Sequence, residues 1–487
     1  MKSNPAAPQL ELAGDRAQSR KRLLLISYHF PPSRVVGALR WQKLAGHAWD
    51  HGWGLDAVSL AATELKAADP GTLSDLPAGT RVVGVRDAGP MLWERVEKPL
   101  WAVAKRLRRA RSPERASTTH NVKPASQSLS RSEVPKVPLS PHDWRRAYEA
   151  WTIYSRERAW ALKAVAAALE LCDPAIHQAI VTCGPPHMVH EAGRLVASRT
   201  GVPHVMDLRD PWADVERLTE GFASPVWYAL ARRHERRCIG SAAMVVMNTE
   251  PARARIVARY PERGDAVIAV TNGCDDVLPT AASNAEDRGP FRIAYAGSMY
   301  LDRDPRPLLR GAALVVREFG LDPSRFCLDF IGHVASYGGV PLMTLAQEEG
   351  IADHVRVHAP MPRPELFRLL AGAAVLVNLP QDSDLAIPSK IYEYAGFPAW
   401  LLAFAEPRSA TAQLLLESGA DVVRPEDSVG AAAVLRRRFL EYQSGVRPAP
   451  IATQARFTRR HQAGILFDAL TRLRAPVAPA AGSASVQ

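Results

Sequence analysis

Apolar residues in the first half of the chain come as short unbroken runs set between longer stretches with helical spacing. RLLLISY (22–28) reads as a strand buried on both faces, and GALRWQKLAGHAWDHG (37–52) as the helix behind it, closed by Gly52. GLDAVSL (54–60) is a second strand, and HQAIVTC (177–183), PHVMDLR (203–209) and AAMVVMN (242–248) repeat the pattern. The same grammar restarts at FRIAYAG (291–297) and runs on through 325–332, 354–360, 373–379 and 398–404, with helices such as 305–319 and 363–371 between. Strands alternating with helices of this length predict βαβ units on parallel sheets. The fold class is therefore α/β, with two doubly wound, Rossmann-like domains in succession. No short internal repeat appears, which excludes a solenoid.

The segments that break this pattern set the expected boundaries. Residues 1–20 read as a disordered polar tail, 21–272 as the first domain, 273–290 as an aperiodic linker and 291–450 as the second domain. Residues 451–474 read as a closing helix and 475–487 as a disordered Ala/Pro/Ser tail. Within the first domain, 105–146 is rich in Ser, Pro and basic residues and poor in large aliphatics, so it reads as a disordered insertion.

Charge changes the picture only once it is located. The 487 residues carry 61 Lys+Arg against 50 Asp+Glu, a formal +11 that invites a nucleic-acid or anionic-membrane partner. The insertion 105–146 holds 11 Lys+Arg and 3 Asp+Glu, or +8, which leaves +3 for everything else. With no aromatic interleaving in that run and no helix-turn-helix, zinc-finger or RNP-like segment, nucleic acid is not the expected partner. The insertion reads either as a solvated loop or as a basic arm for an anionic inner membrane leaflet. The five cysteines are scattered without ligand spacing, so neither a disulfide framework nor a zinc site is expected and a reducing, cytoplasmic setting is. No apolar run reaches the length of a membrane span, and the short LLLIS run is below a signal-peptide core.

In doubly wound sheets, ligands bind beyond the carboxyl ends of the strands. The unusual residues of this chain fall there repeatedly: YHFPPSRVVGALR (28–40), GPPH (184–187), DLRDPW (207–212), AGSMYLDRDPRPLL (296–309) and DSDLAIPSKIYEYAG (382–396). Five such loops predict a cleft between two facing domains. No GxGxxG or GxxxxGK[ST] occurs, so dinucleotide and P-loop enzymes are disfavoured. Lysine is scarce, 10 against 51 arginines, and after Lys163 the chain has 33 arginines and a single lysine, Lys390, at the opening of the IPSKIYEYAG helix. A cation there, beside unpaired helix N–H groups, suits a phosphate.

The ordered set FPP…GALR, CGPPH, DLRDPW, TNG, YAG…RDPRPLL and IPSKIYEYAG, spanning roughly 22–474, resembles the bacterial glycosyltransferase family 4 type, retaining sugar-nucleotide-dependent transferases of the GT-B fold. The resemblance implies transfer of a sugar from a nucleoside diphosphate sugar, UDP- or GDP-linked, to a glycan or lipid-linked hydroxyl in cell-surface polysaccharide assembly. It implies no cofactor and no metal; the expected setting is cytoplasmic, with the inner face of the plasma membrane as the alternative that the basic insertion offers. A sugar-nucleotide 2-epimerase or hydrolase, or a non-catalytic nucleotide-sugar subunit, is the competing reading.

Lys390 and Arg303 are the expected diphosphate cations, with Arg306 competing for the role of Arg303. Arg209 and Asp210 are candidates facing the donor sugar, with Asp207 read as their orienting partner; a buried Asp–Arg pair holding the DLRDPW loop is the alternative. Gly37, Gly297, Ser298, Ile387 and Ser389 are expected near the donor, with Arg34 supplying charge where the family has further glycines. Glu393 is implied to hold the ribose hydroxyls. The carboxylate the family places eight residues earlier is Leu385 here, so Asp384 or Asp382 is the substitute candidate. His187 reads as a sugar contact or as a helix cap, and Arg40 as acceptor-side. Asp302 and Asp304 read as helix caps.

Overall fold

The computed structural model describes residues 10–12, 21–65, 67–89, 141–214, 224–275, 289–300, 302–381 and 383–473, with 36 and 141–143 described by backbone alone. The tail 475–487, residues 105–140 of the insertion, linker residues 276–288 and Asp382 lie outside them.

The first sheet contains β1 (Leu10–Glu11), β2 (Lys21–Ser27), β3 (Trp53–Leu60), β4 (Arg81–Val85), β5 (His177–Cys183), β6 (His204–Leu208), β7 (Met244–Met247) and β8 (Val267–Ala269). Their order is β1-β4-β3-β2-β5-β6-β7-β8, parallel throughout except for β1 against β4. The second sheet is built from β9 (Phe291–Ser298) and β10 (Phe326–His333). After a small hairpin, β11 (Ser336–Tyr337) and β12 (Val340–Pro341), it continues with β13 (Val355–His358), β14 (Val375–Asn378), β15 (Trp400–Phe404) and β16 (Asp421–Val423). Its order is β13-β10-β9-β14-β15-β16, all parallel.

The unbroken apolar runs follow from helices on both faces. In β2, Leu24 and Ile26 enter one core of the first domain while Leu23 and Leu25 enter the core on the opposite face. The helix Arg306–Phe319 packs Leu308, Leu309, Ala312 and Ala313 onto the second sheet and stops at Gly320, whose φ of 56° ends it in the left-handed region. In the body of the first sheet, buried Asp56 binds Arg22 at 3.1 Å, Arg81 at 3.3 Å and His177 at 3.1 Å, tying β2, β3, β4 and β5 together.

Two expectations are corrected. Leu10 and Glu11, inside the expected tail, form β1, because an apolar Leu10 meets Val82 across an open sheet edge. The expected insertion ends too late: residues 141–146 open the 31-residue helix Pro141–Leu171. Its first residues are polar, with a proline where a helix tolerates one, and its apolar spacing emerges only further on, at Ala150, Tyr154, Ala161, Ala164 and Ala168. Composition hid a helix that periodicity carries.

The chain crosses between domains twice, and the crossings are bonded to each other. Cys274 N–H donates to Phe457 O at 2.7 Å, and Arg459 N–H donates to Cys274 O at 2.9 Å. Gly273 has to be glycine there, since a Cβ would lie 2.6 Å from Arg459 N. The helix Arg459–Arg472 then packs Ala463, Leu466, Phe467 and Leu470 against Leu23, Leu25 and Trp53 of the first domain. A third contact joins the domains: Leu385 is buried in the first domain's core, and its carbonyl accepts from Thr249 Oγ1 at 2.6 Å.

Candidate active site

The carboxyl ends of β2, β6, β7 and β8 face that of β14 across a cleft, where a cavity of about 200 Å³ opens. The first domain lines it with Leu39, Arg40, Arg209 and Asp210. The second presents Ala386, Ile387, Ser389 and Tyr392, and the returning helix adds Arg459.

On the second domain, Lys390 belongs to the helix Ser389–Ala395, which is pinned to β9 by one side chain. Tyr394 Oη accepts from Ala296 N–H at 2.8 Å and reaches Ala296 O at 3.3 Å. Lys390 Nζ is buried, has no hydrogen-bond partner, and stands 3.9 Å from the centre of the Tyr295 ring. It points at Gly297, whose φ of 147° and missing side chain leave the space open. Burial drives the Lys390 ammonium from its ordinary 10.5 down to about 7; nearby Arg303 pushes the same way and Glu393 opposes. An unpaired buried ammonium beside a second cation is costly in isolation and is relieved by an anion.

Arg303 is held facing this point: its Nη1 donates to Ser298 O at 3.2 Å, and its guanidinium lies 4.2 Å over the Tyr300 ring. The Tyr295 hydroxyl donates to the same Ser298 carbonyl at 2.9 Å. Arg306 turns away, closed into an exposed pair with Asp304 at 2.6 Å. Asp304 also accepts from Arg306 N–H at 2.9 Å, and thus works at the helix start. Glu393 pairs with Arg363 at 3.1 Å and stays half-buried. Asp384 is exposed.

The first domain departs more from expectation. Arg40 borders the cavity, but its guanidinium is buried and committed to protein partners. Its guanidinium grips Asp207 through Nε at 2.9 Å and Nη2 at 3.1 Å, and also bonds Val270 O, Asn248 Oδ1 and Asn272 Oδ1. Trp41 Nε1 donates to Asp207 as well, at 2.8 Å. The pair ties the DLRDPW and TNG loops to the first helix. Arg34 is corrected too: it is exposed, paired with Asp69 at 3.4 Å, and outside the cavity lining. At Gly37 the space a side chain would need is filled by the His29 ring, 2.9 Å from a Cβ, so it is a protein group that comes close.

Arg209 donates to Gly37 O at 3.1 Å and to Asp210 at 3.3 Å, which leaves both at the cavity wall. His187 does not cap its helix; its ring stacks on Trp212 at 5.3 Å and on His190 at 5.7 Å, with Nδ1 buried and unpartnered. Burial, then Arg209, holds it down to about 3, so it is a neutral imidazole at physiological pH. His29, Tyr295, Tyr394 and Arg459 were not singled out from sequence. Tyr394 lies inside a quoted motif, whereas Arg459 is one arginine among many. Among the described residues, no three His, Cys, Asp or Glu side chains converge as a metal site, and no helix is long and apolar enough to cross a membrane.

No protein-family model and no curated protein sequence matches the chain. Solved structures match it along nearly its whole length. Anabaena HepE in complex with UDP-glucose aligns with TM-score 0.55 at 13% identity, covering 92% of this chain and 99% of that one. An α,α-trehalose 6-phosphate synthase from Burkholderia multivorans gives 0.54 at 13% identity over 93% and 96%. The chain has the GT-B fold. Sucrose-phosphate synthase from Thermosynechococcus elongatus aligns with TM-score 0.51 at 14% identity over 93% and 96%. In GT-B terms, the Lys390 and Gly297 pairing belongs to the second domain and the Arg209 and Asp210 wall to the first.

Proposed function

We propose that this protein is a glycosyltransferase that moves a sugar from a nucleoside diphosphate sugar to a hydroxyl of a glycan or lipid-linked acceptor, with retention at the anomeric carbon. The observation that carries the reading is Lys390: a buried ammonium without an acceptor, aimed at a gap kept open by Gly297 and flanked by Arg303. A diphosphate supplies the missing negative charge. The UDP-glucose complex of HepE supports a UDP-sugar donor, with a GDP-sugar as the alternative.

In this reading the bond from the anomeric carbon to the diphosphate breaks and its electron pair leaves with the phosphate oxygen. The acceptor oxygen bonds the same carbon from the same face, and its proton passes to the departing phosphate. Lys390 and Arg303 stabilise the charge that grows on the leaving group, and both are held in place before the reaction, which is the condition for such stabilisation to count. Asp210 and Arg209 contact the sugar from the opposite wall, while Ser389 and Ile387 line its approach. Glu393 is assigned to the ribose hydroxyls. All five cysteines are free thiols, in keeping with a reducing compartment at the cytoplasmic side of the membrane.

The deciding experiment is transfer by Lys390→Ala under saturating acceptor. A loss of roughly 10²-fold or more is expected. Full turnover by a folded Lys390→Ala protein refutes the assignment, and product made without acceptor points to a hydrolase or epimerase.

A further inference from the structure

Behind the first domain's wall of the cleft, three histidines meet in the core. His190 and His204 approach Thr182 of β5 from two sides, with His190 Nδ1 and His204 Nε2 each 2.8 Å from its hydroxyl oxygen. His187 stacks on His190 and on Trp212, and Trp212 is itself held by donating Nε1–H to Tyr154 Oη at 2.9 Å. Of the six ring nitrogens on these histidines, two bond Thr182 and three, His187 Nδ1, His190 Nε2 and His204 Nδ1, are buried without a protein partner. Only His187 Nε2 is neither. Two of the unpartnered nitrogens share one place: a Cβ on Gly184 would lie 2.5 Å from His187 Nδ1 and 2.9 Å from His190 Nε2.

A hydroxyl has one hydrogen. Set between two imidazole nitrogens, Thr182 donates to one ring and accepts from the other, Val205 O at 3.4 Å being the weaker outlet. Burial keeps all three rings neutral, holding His187 and His204 down to about 3 and His190 well below its ordinary 6.5. A neutral ring carries a single N–H. The bond that His190 makes with Thr182 through Nδ1 therefore decides whether its Nε2 presents a hydrogen or a lone pair toward Gly184. Buried polar nitrogens are costly without a partner, and water that bonds several of them at once is the usual remedy.

We propose that one water molecule sits beside Gly184, bonded to His187 Nδ1 and His190 Nε2, and completes a hydrogen-bonded relay from His204 through Thr182 and His190 to His187. The relay fixes the tautomer of His187, and with it whether His187 Nε2 offers a hydrogen or a lone pair. A water that accepted an N–H from both rings would leave its own two hydrogens without acceptors, so the polarity chosen at Thr182 passes through it. Thr182, His190 and His204 are then positioning residues, and none of them lines the cleft cavity. That His187 Nε2, four residues past β5 and under the charge of Arg209, meets a sugar oxygen rests on the transferase reading. The relay itself does not.

The test is nitrogen NMR of the full-length protein labelled at histidine, without substrate, with the rings assigned through His187→Gln, His190→Gln and His204→Gln. Each ring is expected as one neutral tautomer at neutral pH. Thr182→Val should change or mix the tautomers of His187, a ring that Thr182 does not bond, and Thr182→Ser should restore the parent spectrum. Gly184→Ala fills the space and should mix His187 while His190 and His204 stay coupled through Thr182. A high-resolution crystal structure should show the water within hydrogen-bond distance of both nitrogens. In transfer assays Thr182→Val should lower kcat/KM about fivefold, the worth of one hydrogen bond, with Thr182→Ser near the parent. Two results overturn the proposal: a His187 tautomer indifferent to Thr182→Val, or no water between the two nitrogens. A tautomer that moves while kcat/KM does not would uphold the relay and refute the sugar contact.

Discussion

A Cβ placed on Gly297 would stand 2.6 Å from Lys390 Nζ. The glycine and the lysine therefore form one device, in which an absent side chain makes room for a charge and its ligand. Gly297→Ala should strain a φ of 147° at a cost of about 1–3 kcal/mol and push the ammonium aside. The expected outcome is a melting point lowered by several degrees together with donor affinity reduced by at least about tenfold. Unchanged titration calorimetry with a nucleotide sugar would show that the gap is not used.

Donor binding should take up protons. The free protein's Lys390 titrates near 7, lowered by burial, so at pH 8 it is mostly neutral. A bound diphosphate favours the charged form and lifts the pKa back, so uptake approaches one proton at pH 8, shrinks toward pH 6, and vanishes in Lys390→Met. Affinity should accordingly fall as pH rises above 7. Calorimetry in buffers of differing ionisation enthalpy reads the proton count directly. The stability sign is the reverse of a stabilising pair: because the folded lysine binds its proton more weakly than the unfolded one, this group's penalty is fully present below about 7 and fades between 7 and 10.5.

Arg303 and Arg306, three residues apart, should separate cleanly. Arg303→Ala removes a cation held at the diphosphate point and should cost roughly 10²-fold in turnover. Arg306→Ala breaks an exposed pair with Asp304, worth under about 1 kcal/mol, and a contact over the Tyr337 ring, and should leave turnover within about twofold. Equal losses in steady-state assays would contradict the assignment.

Asp207→Asn should destabilise more than any surface change. It leaves the enclosed Arg40 guanidinium without its carboxylate, a loss on the order of 3–5 kcal/mol. Denaturant unfolding checks this. Arg40→Lys should not rescue, since a single ammonium cannot reach Asp207, Val270, Asn248 and Asn272 together.

The fold was largely legible because helices on both faces force unbroken apolar strands, and 22–28 or 291–297 cannot be read otherwise. The lysine was legible for a compositional reason, its rarity among arginines. What escaped depended on distance in the chain. Arg40 carries no sign in its own segment that Asp207, Asn248 and Asn272 will enclose it. Arg34 looked like a substitute for absent glycines, but Asp69 pairs with it from a loop that sequence reading passes over. Leu385 looked like a lost carboxylate; its place in the other domain's core depends on a domain contact that no local pattern encodes. The strand Arg81–Val85 went unread because it is only five residues long with a glycine inside it.

The return of the last helix to the first domain bears on synthesis. Ala463, Leu466, Phe467 and Leu470 complete a core begun by Leu23 and Leu25, residues made more than four hundred positions earlier. A nascent chain carrying the first domain alone therefore leaves part of one apolar sheet face uncovered, beyond the reach of Trp41, Leu44 and Ala45, until translation is almost finished. The second domain, whose elements from β9 to Ser428–Gln443 are consecutive, can close while still attached to the ribosome. Premature termination near 458 should therefore leave a soluble second domain tethered to a first one prone to aggregate.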